Sequence, residues 1–230
     1  MWRQRWRGRK GPVFILGLTG SIGMGKTEAA KVFCRCGVSV YDSDAEVHRL
    51  FAPGGAAVAP VAQAFPGVAR DGRIDRDKLG ARVFGDAAAL GRLEALVHPL
   101  VRARQTAFLK RAAARREPLV VLDIPLLFET GADRLCDAVA VVSAPAFVQR
   151  HRVLARPGMT PSKLDRILAR QMPDREKRRR ADFIIETGIG KAHSVSRIRD
   201  IVDILKSRDG RIWPAGRTFR GPHARNRTGH

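Results

Sequence analysis

Gly20-Ser21-Ile22-Gly23-Met24-Gly25-Lys26-Thr27 fits the spacing G-x-x-x-x-G-K-[ST], and the apolar run Val13-Phe14-Ile15-Leu16-Gly17-Leu18 leads into it. The order predicts a strand, a glycine-rich loop and then a helix that takes in Thr27-Glu28-Ala29-Ala30-Lys31-Val32-Phe33. Glycines at 20, 23 and 25 let the backbone turn successive N–H groups inward onto an anion at a helix N-terminus. That is a nucleotide cradle. Lys26 is expected to reach the β- and γ-phosphates of ATP, and the Thr27 hydroxyl to bind the Mg²⁺ that bridges them. The candidate nucleotide-binding residues are therefore Gly20, Ser21, Ile22, Gly23, Met24, Gly25, Lys26, Thr27 and Glu28.

At 230 residues the chain can bury one good core, so a single α/β domain with a lid or insertion is expected rather than two large domains. The net charge of +21 is concentrated, with +11 in residues 1–12 and 206–230 and +8 in 147–180. The three cysteines, Cys34, Cys36 and Cys136, have no zinc spacing and are expected as free thiols in a reducing cytoplasm. No apolar run approaches the ~20 residues of a membrane span, so no membrane partner is expected. Nothing in the sequence reports on oligomeric state.

Residues 1–12 alternate Arg with Trp and have no core-forming face, which predicts a basic N-terminal tail. An RNA- or membrane-touching arm, an organelle transit peptide and an inert extension all remain open for it. Residues 207–230, rich in Gly, Pro and Arg, are expected as a disordered basic tail. The kinase-like body then spans 13–206.

Past the first helix, Gly37 reads as a stop and Val38-Ser39-Val40-Tyr41 as a second strand, ending in Asp42-Ser43-Asp44 ahead of a helical pattern from Ala45. In open parallel sheets ligands lie beyond the carboxyl ends of the strands, so these carboxylates share an edge with the glycine-rich loop. An aspartate there can orient an acceptor hydroxyl and take its proton, or it can cap a helix; position alone leaves both readings open. Residues 53–116 read as a mostly helical insertion suited to binding an acceptor, with a turn-rich patch at 65–73 and a long amphipathic run from Asp86 to Arg116 interrupted at His98-Pro99.

Leu119-Val120-Val121-Leu122-Asp123 reads as a buried central strand whose Asp123 is a candidate for the magnesium shell or for a turn cap. Further strands are expected at 138–142 and 183–186, giving an α/β doubly wound parallel sheet of about five strands with the P-loop NTPase arrangement. Between the last two strands lies the basic segment 147–180. It reads as a helical hairpin with Gln149, Arg150, Arg152 and Arg156 on its first helix and Arg166, Arg170 and Gln171 on its second. We read it as a lid whose arginines clamp a phosphoryl group.

Taken in order, GLTGSIGMGKT (17–27), DSD (42–44), LVHPLVR (96–102), LDIPLLFE (122–129), Q-x-x-R-x-x-x-R (149–156) and ADFIIETG (181–188) resemble the dephospho-CoA kinase family. The resemblance covers about 13–205 and implies transfer of the ATP γ-phosphate to the ribose 3′-hydroxyl of dephospho-CoA. It implies that Lys26, Asp44 and Arg152 are the catalytic group, with Asp44 as base and Arg152 as the lid arginine. It also implies that Thr19, Asp42, His98, Pro99 and Arg102 lie near the acceptor. Thr187 departs from the Asn usual in that family, and Glu28 from its usual small residue. Another nucleoside or nucleotide kinase of the same fold is the nearest alternative, and a nucleic-acid-binding P-loop protein, engaged through the basic tails, a more distant one.

Overall fold

The strand β1, Phe14–Thr19, is buried along its whole length, which its unbroken apolar sequence requires of a strand covered on both faces. A computed structural model describes residues 12–213 of the chain. Residues 1–11 and 214–230, which carry most of the two basic tails, lie outside the described residues. Five parallel strands form one sheet in the order β2 (Ser39–Asp42), β5 (Leu119–Asp123), β1, β6 (Ala138–Ser143) and β7 (Phe183–Glu186). This is the doubly wound P-loop arrangement anticipated from the alternation of apolar runs with helical patterns.

Because side chains alternate across a strand, β1 serves two cores at once. Leu16 and Leu18 pack with Phe33 of α1 (Lys26–Arg35) and with Ile198, Ile201 and Leu205 of α9 (Lys191–Leu205). Ile15 faces the other way, onto Leu109 of α5 (Ala87–Ala114) and onto Leu127 and Phe128 beyond β5. Each such Leu, Ile or Phe contributes about 1.5–3 kcal/mol by leaving water.

The segment between β2 and β5 builds a separate small core. After α2 (Ser43–Phe51) come α3 (Val58–Ala64), a hairpin of β3 (Ala69–Arg70) and β4 (Arg73–Ile74), α4 (Arg76–Val83) and α5. The hairpin replaces a stretch expected only as turns. Its two-residue loop, Asp71 and Gly72, has positive φ at both positions (51° and 71°), the mirror-image turn that an Asp-Gly pair favours. The expected interruption at His98-Pro99 also needs correction: α5 runs unbroken through Pro99 for 28 residues. Proline removes one donor there, while Val97 in the insertion core and Leu109 and Ala112 against the sheet anchor the helix on either side.

Between β6 and β7 stand three helices, α6 (Ala146–Leu154), α7 (Pro161–Leu168) and α8 (Asp174–Arg180), one more than the expected hairpin. Arg156 lies past the end of α6, and Arg170 and Gln171 past the end of α7, off the helices that the sequence had carried them on. The core also continues beyond 206. Asp137 Oδ1 accepts from the N–H of Arg211 at 2.5 Å and of Ile212 at 3.1 Å, and Ile212 and Trp213 pack against the face that holds Ile15. An apolar pair inside an arginine-rich stretch thus ties 207–213 to the sheet, where disorder was expected.

Candidate active site

The turn after β1 is held open by its glycines. Gly23 has φ 78° and a Cβ there would meet Val153 at 2.4 Å, while Gly25, at φ 95°, starts α1 with no side-chain cap. Among the described residues, the N–H groups of Gly23, Gly25, Lys26 and Thr27 donate to no protein acceptor, while Met24 N–H is taken by Ser21 O at 3.1 Å. Unsatisfied donors at a helix start are an anion site, and this geometry fits a triphosphate.

Lys26 Nζ rests 2.5 Å from Asp123 Oδ1, with the carboxylate almost fully buried and the ammonium partly so. Burial pushes the Asp123 carboxyl up to about 6; Lys26 opposes that rise, and Asp42 and Asp44 add to it. The influence of both reflects their place at the adjoining strand end, where Asp42 pairs with Asp123 in the register of β2 with β5. Asp42 caps α2 through Oδ1, which accepts from Ala45 N–H at 2.9 Å. Asp44, in the first turn of α2, is exposed, and among the described residues its carboxylate makes no hydrogen bond or ion pair. The capping reading of the DSD stretch is thus met by Asp42, and the carboxylate of Asp44 is left without a partner among the described residues.

No group of three or more His, Cys, Asp or Glu side chains able to hold a metal occurs among the described residues. The oxygen donors at hand are the Thr27 hydroxyl and the carboxylates about Asp123. That sparse set fits a Mg²⁺ that arrives on a nucleotide and keeps several waters, not a resident ion.

Arg152 of α6 donates to Thr187 twice, NH1 to Oγ1 at 2.9 Å and NH2 to the carbonyl at 2.7 Å. The Thr187 hydroxyl in turn donates to Met24 O at 2.6 Å, and Thr187 N–H to Ser143 O at 2.9 Å. One threonine thus joins the glycine-rich loop, Arg152 of α6 and the end of β6. A cavity of about 320 Å³ opens beside it, lined by Gly25, Glu28, Arg152, Arg156, Thr187 and Lys191 among others. Glu28 is exposed at this rim and pairs with Lys31 at 2.7 Å, which lowers its pKa.

The family's sequence profile matches residues 14–191. The chain belongs to the dephospho-CoA kinase family. It is 58% identical over 198 residues to the dephospho-CoA kinase of Mesorhizobium japonicum, covering 86% of this chain and 100% of that one. With the dephospho-CoA kinase of Paramagnetospirillum magneticum the identity is 67% over 164 residues, or 71% and 77% of the two chains. A Thermus thermophilus protein of known crystal structure superposes with a TM-score of 0.75 at 35% identity, over 85% of this chain and 98% of that one. The Campylobacter jejuni dephospho-CoA kinase, at TM-score 0.58 and 21% identity over 83% and 96%, supports the fold alone. Membership of the dephospho-CoA kinase family makes the chain an ATP-dependent kinase with a hydroxyl acceptor.

Of the residues singled out in the sequence, the structure gathers Gly20–Glu28, Asp42, Asp44 and Asp123 at one edge of the sheet, and sets Arg152 against the loop through Thr187. Thr19 is a correction. It is completely buried and its hydroxyl donates to Pro125 O at 2.9 Å, so it pins the loop after β5 and offers no surface to an acceptor. His98, Pro99 and Arg102 are exposed on α5, which adjoins the end of β2 through the bond from Tyr41 Oη to Val101 O at 3.2 Å. Sequence reasoning missed the bridging role of Thr187, which was singled out only as a departure from the expected Asn. It also missed Glu129 and Lys177, an ion pair at 2.9 Å whose lysine has no exposed surface. The single acid of LLFE and the lone Lys within DREKRRR carry no spacing signal that would pair them.

Proposed function

We propose that the chain transfers the γ-phosphate of ATP to the ribose 3′-hydroxyl of dephospho-CoA at the sheet edge occupied by Lys26, Asp123 and Asp44. The observation that carries this reading is the uncommitted Asp44 beside the Lys26–Asp123 pair, under a loop with unsatisfied N–H groups. In the reaction the 3′-oxygen forms a bond to the γ-phosphorus as the bond to the β,γ-bridging oxygen breaks, and Asp44 takes the hydroxyl proton. Lys26 neutralises charge building on the transferring group, and the N–H groups of Gly23, Gly25 and Thr27 hold the phosphates. Mg²⁺, held by the Thr27 hydroxyl and the Asp123 carboxylate, would supply further neutralisation of phosphate charge.

The base of ATP fits the cavity beside Thr187, which Arg152 lines, and the planar fork of that arginine suits phosphate oxygens. The exposed His98 and Arg102, on one face of α5 at i and i+4, are assigned to the acceptor, with Asp42 supporting the same edge through its cap. All three thiols are free, and no helix among the described residues is long and apolar enough to cross a membrane; we place the enzyme in the cytoplasm.

Phosphorus NMR of the product tests the assignment. A ribose 3′-monophosphate ester on dephospho-CoA is the expected product. Phosphate appearing instead on a free nucleoside or nucleotide supplied in competition would favour the same-fold alternative.

A further inference from the structure

Three consecutive residues past the end of α7 touch three separate parts of the molecule. Arg170 sets its guanidinium 5.8 Å from the centre of the exposed Phe84 ring at the end of α4, in the insertion. Gln171 Oε1 accepts from Ile22 N–H at 3.1 Å, in the glycine-rich loop. Met172 N–H donates to Glu129 Oε1 at 2.8 Å, the same oxygen that the buried Lys177 ammonium approaches to 2.9 Å. Burial alone would raise the Glu129 carboxyl, but Lys177 and the Met172 N–H outweigh it and hold it below the usual range. The reach of Gln171 is thus fixed one residue away by a charged pair.

From the other side, the buried Gln149 of α6 donates Nε2 to Ile22 O at 2.7 Å. The N–H and C=O of Ile22 belong to the two peptide groups that flank its Cα. Gripping both planes fixes the two backbone dihedrals of that residue. The next residue is Gly23, whose positive φ and close approach to Val153 and Gln149 O leave it little room to compensate.

We propose that Gln149 and Gln171 are positioning residues, which set the backbone of Ile22 and so aim the N–H groups of Gly23 to Thr27 at the triphosphate. This rests on the assignment of that loop as the ATP cradle. The two glutamines come from either side of α7 within the lid segment, so loop shape and lid placement form one equilibrium. A nucleotide that favours the shaped loop also favours the seated lid.

The test is binding of a non-hydrolysable ATP analogue, AMP-PNP with Mg²⁺, and of adenosine, to the full chain by calorimetry. Gln171→Met keeps the volume and removes the acceptor; Gln171→Asn keeps the amide and withdraws it by one methylene, and serves if the first variant fails to fold. Either is expected to weaken AMP-PNP by roughly fivefold to tenfold, the worth of one hydrogen bond, while adenosine affinity stays at the wild-type value. A variant that bound AMP-PNP as tightly as wild type would overturn the proposal. So would equal weakening of AMP-PNP and adenosine, which is what loosened packing gives. Wild-type protein that bound no AMP-PNP would overturn the cradle assignment itself, and this proposal with it.

Discussion

Asp42 and Asp44 are separated by one serine, and of the two only Asp42 has its carboxylate on a backbone N–H. Asp44→Asn keeps the shape and removes the basicity, so kcat should fall by about 10²-fold or more while ATP binding is retained. Asp42→Ala should instead cost about 1 kcal/mol of stability, read as a lower denaturant midpoint, with a smaller loss of turnover. A reversal of these two patterns would exchange the roles. Asp123 gives a pH signature. Its carboxyl is raised from 3.8 to about 6 by burial, so it binds a proton more tightly folded than unfolded. The stability it contributes is therefore complete below 3.8 and lost as pH rises through about 6. Activity should run the other way, since only the ionised form pairs with Lys26 and, in the role proposed for it, with Mg²⁺. The profile of kcat/KM for ATP should drop on the acid side with an apparent pKa near 6, and Asp123→Asn should abolish that limb. A wild-type profile flat down to about pH 5 would contradict the assignment. The strand, loop and helix around Lys26 and Thr27 were legible in the sequence from local spacing, whereas the DSD stretch by itself left cap and base both open. Thr187 was not legible, since its bonds reach Met24, 163 residues away, and no local pattern encodes that.

The lid helix α6 presents its arginines in two distinct environments. Arg152 points at the loop and holds Thr187 with two guanidinium bonds, whereas Arg150 lies 3.8 Å from Asp165 with both side chains exposed. Arg152→Lys keeps the charge and loses the fork, so kcat/KM should fall at least about tenfold with unfolding free energy nearly unchanged. Arg150→Lys disturbs only a surface pair worth ~0–1 kcal/mol and should be close to silent. Equal losses at both positions would reduce the segment to a basic surface. At this scale the strands were readable, because runs such as Leu119–Asp123 are apolar throughout and end in a charged residue. The β3–β4 hairpin was not, since two residues per strand leave no period to detect and only the Asp-Gly turn marks it. Pro99 misled for a different reason: the helix keeps its remaining hydrogen bonds and is packed at both ends, which together outweigh one lost donor.

For the molecule as a whole, the doubly wound parallel sheet followed from the alternation of strands and helices, whereas the strand order, the separate core of the insertion and the C-terminal limit of the domain did not. Composition pointed to a tail from 207 onward, but Asp137 takes two backbone N–H groups from Arg211 and Ile212, and Gly210 N–H reaches Pro12 O at 3.2 Å. Removing 1–11 and 214–230 should therefore leave kinase activity intact. Removing 207–230 should lower stability by about 1–3 kcal/mol, because Oδ1 of the partly buried Asp137 carboxylate loses both its donors while Oδ2 keeps Ile15 N–H, and a melting curve distinguishes the two truncations. Equal melting temperatures would contradict the anchoring role of Asp137. The central claim is that this site moves phosphate from ATP to dephospho-CoA with Lys26 at its centre, and the most direct measurement is coupled ADP release with dephospho-CoA, adenosine or RNA as the added acceptor. The expected result is ADP release driven by dephospho-CoA alone, reduced about 10²-fold or more in a folded Lys26→Ala variant. Release that ignored dephospho-CoA, or that survived the loss of Lys26 at near-normal rate, would contradict it.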